Sequence, residues 1–478
     1  MIEKLVDFIF EKRKVVLGII IAFTLFFTIF MLRINIATNY DDQLPTNHPF
    51  RAVHEQYKDK LGGSHMVLVM LKVKKGDVWN IPTLKKIQHM QESMDSIAGV
   101  NHYQVNSLAS PRVKQVEVTS GGGLSFKAIM SEVPKTDREV EVLARNAHLN
   151  DAVYGPLIAF NNQCALITAN FIEGSFKYGD VFFKVNKLVK EMTDENTVAF
   201  AAGEPMLTGW IFHYRTETIM ILIGTFAVMG LLLFLNYRNL LGVAVPMIAA
   251  FTSAIWGLGF CGLLGFSLDP LILVIPLLCM AITVSHSVQM CQRYFELLDE
   301  FKNKEKAGRL AMQSILPPGM LGLITDIGGM ACIAIAPIPL LQKLAVFCGF
   351  WVASIVVSAM IMIPIIVQFF PVPKNLDKIA RPEKTNFMEK RVLGGFAAMA
   401  TGKSAYVVTG LGVVLFVWAI WITSKMNIGD IHPGSPILWP ESIYNVAVKN
   451  INENFAGTEE LFFIVEGKEP GLIRQPEI

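Results

Sequence analysis

Charge is scarce in this 478-residue chain: Asp, Glu, Lys and Arg make up only 17% of it, against 52% hydrophobic residues, and the mean hydropathy is +0.44. A soluble domain of this length needs no such apolar excess, so a membrane is the solvent implied for much of the chain. Neither sign of charge predominates, with 42 basic and 40 acidic residues, and no polyanionic partner such as nucleic acid is implied. Cysteine is sparse too. Of the six, Cys164 alone lies in a polar region, while Cys261, Cys279, Cys291, Cys332 and Cys348 lie in or beside apolar runs. Neither a disulfide framework nor a CxxC metal site follows. A phosphate loop is also missing: Ser120–Gly123 reads SGGG with no GK[ST] after it, which makes it a loop tip. ATP has no sequence support as an energy source, and no motif supports an enzyme.

Long apolar runs are what the chain has in abundance. A bilayer core takes about 20 mostly apolar residues per helix. Six runs meet this, at Val15–Leu32, Thr218–Leu235, Leu241–Phe260, Pro270–Cys291, Leu344–Phe370 and Ala405–Thr423, and a weaker one, Gly319–Ala336, carries Asp326. The first follows Lys12, Arg13 and Lys14, as a signal peptide would. It is too long for an h-region and lacks a small-x-small cleavage site, so it reads as a retained anchor. Alternate loops separate by charge. Arg238, then Arg293, Lys302, Lys304, Lys306 and Arg309, then Lys374, Lys378, Arg381, Lys384, Lys390, Arg391 and Lys403 fall on one side, with the basic N-terminus. By the positive-inside rule that side is cytoplasmic. The opposite loops hold a single Lys, Lys343. The domains expected are a pre-helix and first span (1–33), a large outer domain (34–217), a five-span bundle (218–370), a cytoplasmic linker with an amphipathic helix (371–404), a seventh span (405–423) and the start of a second outer domain (424–478).

Within the outer domain, Met66–Val73 reads as a strand, Ile81–Ile97 as an amphipathic helix and Val100–Val105 as a strand; Cys164–Ile172, Val181–Met192 and Thr197–Ala202 repeat that order. Two βαβ units predict a split ferredoxin-like α+β domain, with Ser107–Asn161 as an insertion of undefined structure; a generic α+β domain is the alternative. A longer repeat is also visible. Pro45 and Pro440, Gly63 and Gly457, and Pro82 and Pro476 are spaced almost identically, each copy following a basic pre-helix and a span. Repeats of this kind occur in whole units, so a parent protein of about twelve spans is expected. The segment from about Pro440, with a strand at Leu461–Val465, would then lack the sister unit that covers it.

One span, a large outer domain, five clustered spans, a linker and the same again resembles the RND (resistance-nodulation-division) superfamily, in particular its MmpL-like and hopanoid-type lipid exporters. The most specific stretch runs from "LITDIGGMACIAIAPIPLL" into the sixth span, with a Thr-x-x-Gly element, Pro337, Pro339 and Gly349; "LPTNHPF" and "AAGEPMLTGWI" add to it. The resemblance implies a polytopic helical protein of the bacterial inner membrane with its large domains in the periplasm. It implies a sterol-sensing-like bundle in spans two to six, and proton-driven export of hydrophobic or amphiphilic molecules. Proton motive force would supply the energy, with no cofactor and no metal. Assembly as a homo-oligomer, dimer or trimer, with periplasmic partners is expected. One departure stands out. Many members carry an acid within a Gly-x-Asp-Tyr-like element in the fourth span, where this chain has "AITVSHSVQM", with Ser285 and His286.

Ionisable groups inside a bilayer are costly and are functional candidates by default. Asp326 is the only acid well inside any of the runs. At about 1.5 Å per residue it lies roughly 10 Å from the start of its run, and His286 lies at similar depth on the preceding, antiparallel helix. Ser285, His286, Gln289 and Arg293 share one helical stripe. A proton relay is expected with Asp326 as the titrating group, His286 as its partner, and Ser285 and Gln289 beside them. A buried structural acid with hydroxyl and amide packing is the alternative. Gly328 and Gly329 are expected to permit close helix approach, and His148 and His213 read as surface residues. Besides lipid export, two functions stay open: a non-transporting sterol-sensing or protein-export accessory module, and a multi-drug efflux pump.

The charge asymmetry sets the topology test. Cysteines placed at Lys304 and Lys384 are expected to react only from the cytoplasmic side and one at Lys135 only from outside; labelling of position 135 from the cytoplasm overturns the orientation.

Overall fold

The computed structural model describes residues 2–34, 40–61, 65–118, 123–172, 174–267, 275–380, 387–426, 429, 433–459 and 463–465. In chain order these form α1 (Ile2–Glu11), α2 (Arg13–Met31), α3 (Pro49–Leu61), β1 (Met66–Val73), α4 (Ile81–Asp95), β2 (Val100–Asn106), β3 (Lys114–Val118), β4 (Leu124–Ala128), α5 (Asp137–His148), β5 (Cys164–Phe171), α6 (Tyr178–Met192) and β6 (Thr197–Ala202). There follow α7 (Glu204–His213), α8 (Arg215–Tyr237), α9 (Leu240–Leu263), α10 (Ile275–Phe301), α11 (Lys304–Ile333) and α12 (Pro339–Ile355). Helix α12 continues through a π turn, Val356–Ile361, into Met362–Ile366, and later helices span Leu376–Ala380, Phe387–Met399, Gly402–Thr423 and Ile443–Asn454. Contacts divide the chain into two units, 1–52 with 215–429, and 53–214 with 430–478.

The second unit is built on a four-stranded sheet in the order β2-β5-β1-β6, every neighbouring pair antiparallel. The two βαβ units are split, since β5 lies between β1 and β2, as a ferredoxin-like domain requires. Strand β1 is central, and Val67 to Leu71 are at most 2% exposed, which explains its unbroken apolar sequence. Helix α4 starts where Asn80 accepts from the Thr83 N–H at 2.9 Å and Pro82 occupies the first turn. Its buried Leu84, Ile87, Met90 and Met94 lie at i, i+3, i+6 and i+10, one apolar stripe. The expected insertion resolves into a β3–β4 hairpin and α5, capped by Thr136. The SGGG tip falls largely outside the described residues.

Ile443–Asn454 also belongs to this unit. It follows its N-cap Ser442, begins 394 residues after α3, and packs Tyr444, Ala447, Val448 and Ile451 toward β6 and α7. Burial there pushes the Tyr444 hydroxyl up to about 12. The expectation that the chain from Pro440 lacks cover is thus corrected for Ile443–Asn454, which the face of the sheet domain covers, whereas Phe463, Ile464 and Val465 are exposed as expected. Of the expected strand Leu461–Val465, residues 461–462 lie outside the described residues and 463–465 form no strand.

The first unit is a helical bundle. Among the described residues six helical runs are long and apolar enough to cross a membrane: Arg13–Met31, Glu204–Tyr237, Leu240–Leu263, Lys304–Ile333, Pro339–Phe369 and Gly402–Thr423. The run expected at Pro270–Cys291 is a helix from Ile275 to Phe301, and residues 268–274 lie outside the described residues. The apolar start of that run, 270–274, is among those residues, and the described part is not one of the six. The run expected at Gly319–Ala336 begins much earlier, at Lys304, because Asn303 caps it and Ala307, Ala311, Met312 and Leu316 give its first turns a buried stripe. Amphipathic α1 adds Val6, Ile9 and Phe10 to the same core, and Arg309 holds Asp7 at 2.5 Å and Glu305 at 2.9 Å. At the other end Lys343, the lone basic residue of its loops, pairs with Asp42 at 2.5 Å.

Helix α9 is closely approached at its small residues. A Cβ at Gly257 would overlap the Trp351 indole, and one at Gly259 or Gly262 would overlap the backbone of Phe27 or Phe30 in α2. These are the close approaches that small residues permit between membrane helices. Gly328 and Gly329 do not make one, since no atom lies within 4 Å of a Cβ at either. The close-packing role expected of that pair falls, within the described residues, to α9.

Two predictions follow from packing and charge. Gly257→Ala is expected to cost about 1–3 kcal/mol through overpacking, whereas Gly328→Ala is neutral or gains up to about 1 kcal/mol of helix propensity. Thermal unfolding in nanodiscs separates the two, and equal melting temperatures refute the assignment. In the sheet domain, hydrogen bonds from Lys86 and from the Thr197 N–H and hydroxyl hold the Asp194 carboxyl well below the usual carboxylate range. A depressed carboxyl stabilises the fold above its unfolded-state pKa and loses that contribution as pH falls toward the folded value. Hydrogen exchange of β6 peptides is therefore faster in Asp194→Ala than in the parent at pH 7, and the gap narrows under acid once intrinsic rates are corrected.

Candidate functional site

Helices α10 and α11 are joined by Lys302 and Asn303 and run antiparallel through the bundle, which brings the polar centre of one beside the other. The Asn303 cap and the Lys302–Asp299 pair at 2.5 Å fix the turn between them. Along α10 the residues sort into two faces. Thr283, Ser287, Met290, Cys291 and Tyr294 point inward and are at most 1% exposed. Ser285 and Gln289 are exposed, and His286 lies at the boundary between the faces.

His286 is oriented inward at its ring. Its Nδ1 is buried and has no hydrogen-bond partner among the described residues. Asp326 of α11 lies within electrostatic reach of His286. They are not bonded: Asp326 forms no hydrogen bond or ion pair among the described residues, and its side chain lies on an exposed face of α11. The arrangement is an acid and an imidazole within electrostatic reach, neither bonded to the other. Such a pair can exchange a proton through one intervening hydroxyl or water.

The stripe expected to run on through Arg293 ends there in an ion pair, Arg293 to Glu296 at 3.0 Å. Gln289 and Ser285 face away from the bundle core. His148 is an exposed residue of the sheet domain, its ring tilted against Tyr154 with centroids 4.4 Å apart, and His213 packs against Phe182 and Trp210. No metal-binding group of His, Cys, Asp and Glu exists among the described residues.

Sequence reasoning missed the inward hydroxyls. Ser253 of α9, Thr283 and Ser287 of α10, and Ser354 and Ser358 of the sixth span are all at most 5% exposed. Thr283 and Ser287 share a face with Met290, Cys291 and Tyr294, and that helical spacing was the available signal. A cavity of about 410 Å³ also opens in this unit. It is lined by α2 (Leu17, Ile21), α9 (Ile248) and the end of the sixth span (Phe369), with Thr24 and Thr252 as its hydroxyls.

Comparison with known proteins agrees with this architecture. The MMPL family matches residues 80–386, well over half of the chain, from α4 through the bundle into the following linker. A membrane protein of Methanocaldococcus jannaschii is 20% identical over 392 residues, which cover 77% of this chain and 93% of that protein. With its six membrane-crossing helices, its sheet domain and this match, the chain belongs to the MMPL family and is a multi-pass membrane transporter of the RND type.

Proposed function

We propose that the protein is a proton-driven exporter of hydrophobic or amphiphilic, lipid-like molecules, with Asp326 as the group that gains and loses charge and His286 as its partner. The observation that supports this is that Asp326 lies within electrostatic reach of His286 while the buried His286 Nδ1 has no partner among the described residues. A structural acid at such depth would be expected to hold an ion pair or a set of donors. In this reading the basic linkers lie in the cytoplasm and the sheet domain in the periplasm of a bacterial inner membrane, where an extracted lipid would be received. The apolar character of the 410 Å³ cavity favours a substrate with a hydrocarbon body over a polar solute.

Replacement of the usual fourth-span acid by Ser285 and His286 favours a second reading, a sterol-sensing-type module that does not transport.

One experiment separates them. Asp326→Asn keeps shape and hydrogen bonding but cannot titrate. Reconstituted in liposomes under an imposed pH gradient, it is expected to insert and fold normally and to lose at least tenfold in movement of a fluorescent lipid. His286→Ala is expected to move the pH midpoint of transport more than its maximum rate. Undiminished transport by Asp326→Asn removes Asp326 from the coupling path, and absence of gradient-driven movement in the parent protein favours the non-transporting reading.

A further inference from the structure

The inward hydroxyls form a second polar site. Ser253 of α9, Thr283 of α10 and Ser354 of α12 are 0%, 0% and 5% exposed. Their oxygens lie in a row, Thr283 Oγ1 3.2 Å from Ser253 Oγ and Ser253 Oγ 3.3 Å from Ser354 Oγ. Three hydroxyls carry three protons. The shortest contacts engage two of them, Thr283 with the Cys279 carbonyl at 2.8 Å and Ser354 with the Trp351 carbonyl at 2.6 Å. A single proton, that of Ser253, then remains for two oxygen–oxygen contacts, both longer than an ordinary O–H···O bond. The centre of the row is rich in lone pairs and short of donors.

Ser358 supplies an independent observation. Four residues beyond Ser354, within the π turn Val356–Ile361, it is 0% exposed, and its Oγ has no partner among the described residues. π turns are rare and recur at functional sites. Burying a hydroxyl unbonded is unfavourable, and buried polar groups short of partners are where internal water is held.

We propose that this cluster between α9, α10 and the π turn of the sixth span binds internal water, which donates to Ser253 and Ser358. A monovalent cation would also satisfy the lone pairs. The cluster has no carboxylate to offset its charge, however, and an uncompensated ion in an apolar interior is far costlier than neutral water. His286 lies three residues along α10 from Thr283 and its Nδ1 is buried without a partner among the described residues; in the proton-coupled reading the hydrated row is an inner limb of the proton path. That role rests on the proton-coupled reading above; the water site itself does not.

Radiolytic hydroxyl-radical footprinting of the full chain in lipid nanodiscs tests the site, because radicals made from trapped water mark the side chains beside it. Trp351 and Cys279, whose carbonyls bond the cluster, are expected to be modified on the millisecond scale. Tyr294 and Met312, buried to within 1% in the same bundle, are expected to stay unmodified. Ser253→Ala and Ser358→Ala should each cut Trp351 modification several-fold. Labelling of Trp351 no greater than that of Met312, or labelling indifferent to both substitutions, overturns the proposal; so does protection that appears on exchanging choline for sodium, which identifies a cation as the occupant. Asp326→Asn keeps the Trp351 signal under this proposal while losing transport under the preceding one, so the two fail separately.

Discussion

The bundle depends on how closely α9 approaches its neighbours. Inside a bilayer no hydrophobic force draws helices together, so association comes from van der Waals contact and from hydrogen bonds between helices. Gly257, Gly259 and Gly262 let the Trp351 ring and the α2 backbone reach the axis of α9, and Trp256 Nε1 donates to Thr24 Oγ1 at 3.0 Å across the same seam. Nearer the basic end, Tyr237 is almost fully buried and its hydroxyl donates to the Val288 carbonyl of α10 at 3.2 Å. Once α9 is seated, α10 and the sixth span have one arrangement left. Ser253 then meets Thr283 on one side and Ser354 on the other.

That arrangement divides the polar residues of the membrane unit into two populations. Ser285, Gln289 and Asp326 lie outward, and Ser253, Thr283, Ser287, Ser354 and Ser358 lie inward, with His286 on the border. The division matters for coupling. A titrating group must reach a proton source, while the helices must remain packed in both protonation states. Hydroxyls, neutral and small, can line the interior without the desolvation cost of an ion, and the single acid can stay where its charge is tolerable.

The sheet domain follows a different rule, since water surrounds it and burial drives its folding. Its central strand is apolar on both faces because it is covered on both, and Ile443–Asn454 contributes to the cover of β6. Burying Tyr444, Val448 and Ile451 gives that segment a hydrophobic anchor of roughly 1.5–3 kcal/mol per large side chain.

The sequence by itself determined the elements whose signal is local. Apolar run length gave the spans, because the bilayer imposes a length on any helix that crosses it. Alternating β and α patterns gave both βαβ units of the sheet domain within a few residues of their observed ends, because each strand and helix is periodic in its own burial. Depth put Asp326 and His286 on neighbouring helices within electrostatic reach, since rise per residue is fixed. Rotation about a helix axis is what the sequence left open. Gly328 and Gly329 resemble a packing motif as well as Gly257 and Gly259 do, and nothing in the spelling says which pair faces a neighbour. The hairpin in 107–161 escaped notice because its strands Lys114–Val118 and Leu124–Ala128 are short and half exposed. Only the tertiary structure decided which face of α10 turns inward, and with it the hydroxyl row, because that choice is made by close contact between residues 30 and 101 positions apart rather than by any residue's own propensity.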